Sequence, residues 1–131
     1  MQAVILAAGE SSRFWPLNKN HKSLIKIMGR PLIWWTLKSL EKAGISEAVI
    51  IQGPKKEIER ELSNYGLVNL KIKYIIQEKP LGTGNAVYLV KDLIKDDGVF
   101  IFETHWVRNL IGEGGFDQVY HEHLCYYSLH A

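Results

Sequence analysis

The sequence predicts an α/β domain in three layers, a parallel sheet with helices on both of its faces. Three observations carry that expectation. Short β-rich runs alternate with helical patterns, the links between them are short, and no internal repeat or low-complexity segment interrupts the alternation. An order of βαβαβαβ implies right-handed crossovers, which place ligands beyond the carboxyl ends of the strands. The loops after Ala8 and Gln77 are therefore the first places to look.

Each element has its own reason. Ala3 to Ala8 is a continuous apolar run, the pattern of a strand covered on both faces. Pro31 to Ala43 reads as a helix: proline suits the first turn, Ile33, Leu37 and Leu40 fall at i, i+4 and i+7, and Gly44 caps the end. Glu47 to Gln52 is a second strand, stopped by Gly53-Pro54, and Lys55 to Tyr65 places Ile58, Leu62 and Tyr65 on one helical face. Leu70 to Gln77 alternates Ile72, Tyr74 and Ile76 as a third strand. Gly82 to Lys95 is a third helix and Val99 to Phe102 a fourth strand. The expected sheet order is 3-2-1-4, Rossmann-like, as in doubly wound nucleotide folds.

Composition narrows the class. A chain of 131 residues, 47% hydrophobic and 23% charged, suits one ordinary domain and is too well stocked with apolar residues for wholesale disorder. A single cysteine, Cys125, rules out an internal disulfide and points to a reducing, cytoplasmic compartment. The 16 basic and 14 acidic residues are too evenly balanced to suggest a nucleic-acid partner. No apolar run approaches the roughly 20 residues of a membrane helix. The segment Met1 to Gly9 lacks a basic leader and reads as a buried first strand, not a signal peptide. After Asp96-Asp97-Gly98 the composition shifts to four of the five histidines, a Gly112-Glu113-Gly114-Gly115 loop and an aromatic cluster. That segment is too short for a core of its own and is expected to complete the same domain.

The densest chemical signal is Leu6-Ala7-Ala8-Gly9-Glu10-Ser11-Ser12-Arg13, followed by Pro16-Leu17 and Lys22-Ser23-Leu24. A strand opening into a loop of small residues exposes backbone N–H groups that suit phosphate oxygens. Arg13 can add a bidentate clamp and Lys22 a compact second cation. Two cations beside such a nest are what phosphoryl or nucleotidyl transfer requires, because charge accumulates on the reacting phosphorus. The spacing is neither a Walker loop nor the dinucleotide fingerprint, and it equally fits a tight surface turn with two solvated cations.

The stretch from Val4 to Ile33 resembles the sugar-phosphate nucleotidyltransferases, or nucleotide-sugar pyrophosphorylases. Their signature is matched at Leu6-Ala7-Ala8-Gly9, Arg13, Pro16-Leu17, Lys22-x-Leu24 and Arg30-Pro31-Leu32. A second element of that family appears in Gln77-Glu78-Lys79-Pro80-Leu81-Gly82-Thr83-Gly84-Asn85-Ala86. The resemblance covers roughly residues 1–97 and implies a truncated half of the family fold. It also implies a reaction in which a sugar 1-phosphate oxygen attacks the α-phosphorus of UTP or dTTP and pyrophosphate leaves with Mg²⁺. Arg13 and Lys22 would be catalytic. Leu6 to Ser12 would cradle the phosphates, Gln77 would read the pyrimidine base, and Gly82-Thr83 would lie against the nucleoside.

The sequence departs from the family pattern at Ser11, Ser12 and His21, which replace glycine, threonine and proline. A side chain at position 11 narrows the nest if that residue needs a positive φ. The family's fourth strand runs into a Gly-Asp pair that helps hold Mg²⁺. Here the strand continues as Glu103-Thr104-His105, leaving Glu103 as the nearest carboxylate and catalysis expected to be weak.

Residues 98–131 carry a second resemblance. Phe116-Asp117-Gln118-Val119-Tyr120-His121-Glu122-His123-Leu124 and Tyr126-Tyr127-Ser128-Leu129 look like a stretch of the S-adenosylmethionine-dependent sugar C-methyltransferases. That likeness implies active-site roles for Tyr120, Glu122 and His123, although the family's cofactor loop and zinc-binding cysteines have no counterpart. A zinc site built from His105, His121, His123, His130 and Cys125 lacks a second close ligand pair, and two half-exposed histidines on an edge strand fit better. Alternatives to the leading reading are therefore a non-catalytic nucleotide-binding or assembly remnant, a chimera, or a methyltransferase fragment. A homo-oligomer is expected, since a half-fold leaves a sheet edge and an aromatic patch near Trp106 uncovered.

Overall fold

The computed structural model describes residues 1–9, 11, 16, 20–66 and 69–94. The chain divides into two compact units, Met1–Asp96 and Asp97–Ala131, and every described element belongs to the first.

Three parallel strands form the sheet: β1 (Gln2–Ala7), β4 (Glu47–Gln52) and β5 (Lys71–Ile76), with β4 in the centre. They run in register, Gln2 opposite Glu47 opposite Lys71 and Ala7 opposite Gln52 opposite Ile76, so all three end at one level. This is the 3-2-1 part of the expected order. The fourth strand, Val99 to Phe102, lies outside the described residues.

The pleat of β4 explains the layers, because alternate side chains leave a strand on opposite faces. Ala48 and Ile50 point to one side, where they meet Ile33 and Leu37 of α1 (Leu32–Lys42) and Ile58 and Leu62 of α2 (Glu57–Leu62). Val49 and Ile51 point to the other, against Ala86 of α3 (Thr83–Tyr88) and Val90. Helices thus cover both faces of a parallel sheet, and β4 is buried along Ala48–Gln52 as such a strand must be. The first strand is less enclosed than its apolar run predicts. Leu6 shares the α3 side with Val4 and Ala8 yet is 41% exposed, because the short α3 is the described helix on that side.

The end of α1 follows its sequence closely. Pro31 sits at the N-cap, one position earlier than a first-turn proline. Gly44, at φ +80°, donates to the Glu41 carbonyl, and Ile45 donates to Leu40. That pair of bonds is the Schellman closure a glycine after the helix permits.

The other two helices are shorter than expected. Lys55 to Tyr65 contracts to Glu57–Leu62, since Lys56 adopts a left-handed conformation and offers no side-chain cap. Gly82 to Lys95 contracts to Thr83–Tyr88 followed by a 3₁₀ turn at Lys91–Leu93. The segment holds Thr83, Gly84 and Val87, all poor helix formers, and Val90 leaves the helical region at φ −112°. Between the first strand and α1 lies a feature the sequence does not announce, an antiparallel ribbon of β2 (Lys26–Ile27) and β3 (Arg30–Pro31). Its turn, Met28-Gly29, has positive φ at both residues, the geometry of a type I′ hairpin turn.

Candidate functional site

Because the three strands end together, the loops that follow them converge. Ala8, Gly9 and Ser11 after β1, Gly53–Lys56 after β4, and Gln77, Glu78 and Pro80 after β5 line one cavity of about 480 Å³, with Asn20, His21 and Glu57 on a further side. The loops after Ala8 and Gln77 are those the topology singles out. The Gly53–Lys56 loop is the third wall.

In the first wall, Ser11 adopts φ +56°, so the position does require the left-handed conformation that glycine would supply. Its Oγ accepts the backbone N–H of Lys22 at 2.9 Å, tying the small-residue loop to the 3₁₀ turn Lys22–Leu24. Lys22 itself is exposed and stands outside the cavity lining. Glu10, Ser12 and Arg13 lie outside the described residues.

His21 joins that turn to the cavity. Its Nδ1 accepts from the Ser23 N–H at 3.2 Å, capping the turn, and its own backbone N–H donates to the Glu57 carboxylate at 3.2 Å. With Nδ1 accepting, the neutral ring carries its proton on Nε2. That atom is buried without a hydrogen-bond partner among the described residues. Burial pushes the imidazole pKa below its usual value and neighbouring Lys22 adds to the effect, opposed more weakly by Glu57 and the Gly9 backbone.

Two buried glutamines hold the other walls. Gln52, at the end of β4 and 1% exposed, accepts the Glu59 N–H at 3.1 Å and donates to the Glu59 carboxylate at 3.0 Å. It supplies α2 with the N-terminal cap that Lys56 lacks, and so fixes the Gly53–Lys56 loop between them. Gln77, 6% exposed, donates from Nε2 to the Gly82 carbonyl at 3.2 Å and to Asn85 Oδ1 at 2.9 Å. Gly82 caps α3 and Thr83 begins it, so the second motif folds back on its own glutamine.

Of the residues singled out from the sequence, Ala7, Ala8, Gly9, Ser11 and Gln77 are brought into one cavity, with Gly82 bonded to Gln77 and Leu6 one residue below the rim. Glu103, Tyr120, Glu122 and His123 lie outside the described residues. Among the described residues no three acidic, histidine or cysteine side chains come together. His21, Gln52 and Asn85 were not foreseen as site-forming. Polar residues at the end of a buried strand or one turn into the following helix are the only signal that could have found the last two.

The chain matches the family described as nucleotidyl transferase over residues 2–122. It is 38% identical over 109 residues to the bifunctional protein GlmU of Methanococcus maripaludis, covering 79% of this chain and 26% of that protein. It is 32% identical over 122 residues to the low-salt glycan biosynthesis nucleotidyltransferase Agl11 of Haloferax volcanii, covering 91% of this chain and 33% of that one. Among solved structures it is similar to HddC from Yersinia pseudotuberculosis complexed with GMP-PN, with a TM-score of 0.65 and 28% identity over 72% of this chain and 43% of that one. The chain thus spans roughly a quarter to a third of the length of these curated relatives. The family match runs through the first unit and well into the segment after Asp97. By sequence match, and with a fold that agrees, the chain belongs to the nucleotidyl transferase family.

Proposed function

We propose that this chain binds a pyrimidine nucleoside triphosphate, UTP or dTTP, in the cavity at the carboxyl end of its sheet, for transfer of the nucleotidyl group to a sugar 1-phosphate. One observation carries the reading: a small-residue loop and a buried glutamine from two separate motifs line the same cavity. The relatives support nucleotidyl transfer in general, since one is described as a glycan biosynthesis nucleotidyltransferase; another was solved with GMP-PN, a guanine nucleotide, so the choice of a pyrimidine rests on Gln77 alone.

In this reading the backbone N–H groups of Gly9 to Ser12 hold the phosphates. Arg13 and Lys22 offset the charge that builds up as a sugar-phosphate oxygen bonds to the α-phosphorus and the bond to pyrophosphate breaks. Gln77 faces the base, with Gly82 and Thr83 beside the nucleoside. Turnover by the 131-residue chain is slow, because Glu103-Thr104-His105 stands where the family places its metal-holding Gly-Asp pair.

Calorimetry with UTP, dTTP and uridine tests binding, and pyrophosphate release with a sugar 1-phosphate tests turnover. Arg13→Ala is expected to weaken triphosphate binding by about 1.5–3 kcal/mol and leave uridine binding unchanged. Equal losses for both ligands would remove Arg13 from the phosphate site. Binding without pyrophosphate release would favour the non-catalytic remnant. Turnover at about 1 s⁻¹ or more, with Mg²⁺ dependence lost in Glu103→Gln, would make Glu103 a metal ligand and overturn the weak-catalysis reading. The methyltransferase-like pattern at Tyr120, Glu122 and His123 predicts instead binding of S-adenosylmethionine, measured in the same way.

A further inference from the structure

We propose that Asn85 sets the base preference of this cavity by locking the Gln77 carboxamide so that it offers the base an acceptor and no donor. The inference rests on the reading of Gln77 as the residue that faces the base. A carboxamide is ambiguous by itself, since its oxygen and nitrogen have the same shape and opposite hydrogen-bonding sense. The Gly82 carbonyl removes the ambiguity. A carbonyl only accepts, so the Gln77 atom 3.2 Å from it is the NH₂ nitrogen. That nitrogen also lies 2.9 Å from Asn85, which must then turn its own oxygen toward it.

An NH₂ group has two protons, and these two contacts occupy both. Oε1 receives no hydrogen bond from any described residue, and Gln77 belongs to the cavity lining. The side chain is nearly fully buried at the end of β5, and its backbone N–H is bonded to the Gln52 carbonyl at 2.8 Å, so the carboxamide has little freedom to move as a whole. What the cavity presents at this point is a fixed acceptor.

A fixed acceptor distinguishes bases by chemistry. Uracil and thymine carry an imide N–H at the ring nitrogen that cytosine leaves as a bare lone pair. The first can donate to Oε1, whereas the second sets two acceptors face to face. Glutamine free to rotate would serve either base by presenting its oxygen or its NH₂. Asn85, half-buried in the first turn of α3, makes that rotation cost two hydrogen bonds in place of one. Asn85 is thus a positioning residue: it touches Gln77, and its effect reaches the base through Gln77.

The test is the ratio of UTP to CTP affinity, measured by calorimetry on the full chain and on Asn85→Leu and Asn85→Asp. The unmodified chain is expected to prefer UTP by about tenfold or more, Asn85→Leu to fall to within about threefold, and Asn85→Asp, which keeps an acceptor for Nε2, to retain the preference. A merely structural role would weaken both nucleotides together and leave the ratio unchanged, and that result overturns the proposal, as does loss of the ratio in Asn85→Asp equal to that in Asn85→Leu. In the unmodified chain both Gln77 Nε2 protons should also exchange slowly with solvent by NMR; fast exchange overturns the lock whatever the variants do. Failure of the unmodified chain to bind either nucleotide overturns the proposed function itself. Binding with a UTP preference that survives in Asn85→Leu overturns the role of Asn85 alone.

Discussion

Ser11 shows how one substitution in a phosphate-type loop is accommodated. A residue with a side chain in the left-handed region costs about 1–2 kcal/mol relative to glycine, yet the Ser11 hydroxyl recovers part of that by holding the Lys22 N–H. The two contributions separate by mutation. Ser11→Ala keeps the strain and loses the bond, so it is expected to lower stability by about 1 kcal/mol in urea unfolding. Ser11→Gly loses the bond and relieves the strain, and should unfold at a higher urea concentration than Ser11→Ala. The reverse order would mean that the loop is unstrained. His21 makes a second prediction at this scale. Its folded pKa lies below 6.5, chiefly through burial, so between that lowered value and 6.5 the unfolded chain binds the extra proton. The stabilisation is therefore complete above pH 6.5 and is lost as pH falls through that window. Protonation would also cost the Nδ1 bond that caps the Lys22–Leu24 turn. In His21→Asn, which retains an acceptor but does not titrate, this component of the pH dependence should vanish. An unchanged profile would place the titrating group elsewhere.

At the scale of elements, α2 depends on a residue outside itself. Its N-cap, Lys56, makes no side-chain cap, and Gln52 accepts the Glu59 N–H from the end of β4. Gln52→Met keeps the length and apolar stem and removes both hydrogen bonds. It is expected to cost about 1–3 kcal/mol and to raise amide exchange at Ile58 and Glu59 first, while α1 stays protected. Uniform loss of protection would show that Gln52 serves the core at large. The α1 end needs no such help. Gly44 completes it, and that closure was legible because a glycine after a periodic apolar stripe has one good use. The Met28-Gly29 hairpin was not legible. A type I′ turn is usually announced by Asn-Gly or Asp-Gly, and Met28, 87% exposed at φ +50°, carries no such signal.

For the whole molecule, the sheet and its layers could be read from the sequence because β4 is a run of apolar residues between two glycine-containing turns, and a parallel central strand requires that. Helix lengths could not, since the limits of α2 and α3 are set by Lys56 and Val90 leaving the helical region, which apolar periodicity does not record. The candidate site was half visible. Gly9, Ser11 and Gln77 sit in motifs with small residues or glycines, whereas His21 acts through Glu57, 36 positions away, and Gln52 and Asn85 through side-chain hydrogen bonds seven and eight positions along the chain that no motif announces. Only the common level at which β1, β4 and β5 end brings their loops together.

Backbone amide chemical shifts recorded during titration with UTP show whether those three loops receive one ligand together. The largest shifts are expected to fall together on Gly9, Ser11, Gly53, Gln77 and Gly82, and to saturate at a single affinity. Shifts concentrated instead on the exposed side of α1 around Trp35, or no shifts at all at saturating UTP, would contradict that expectation.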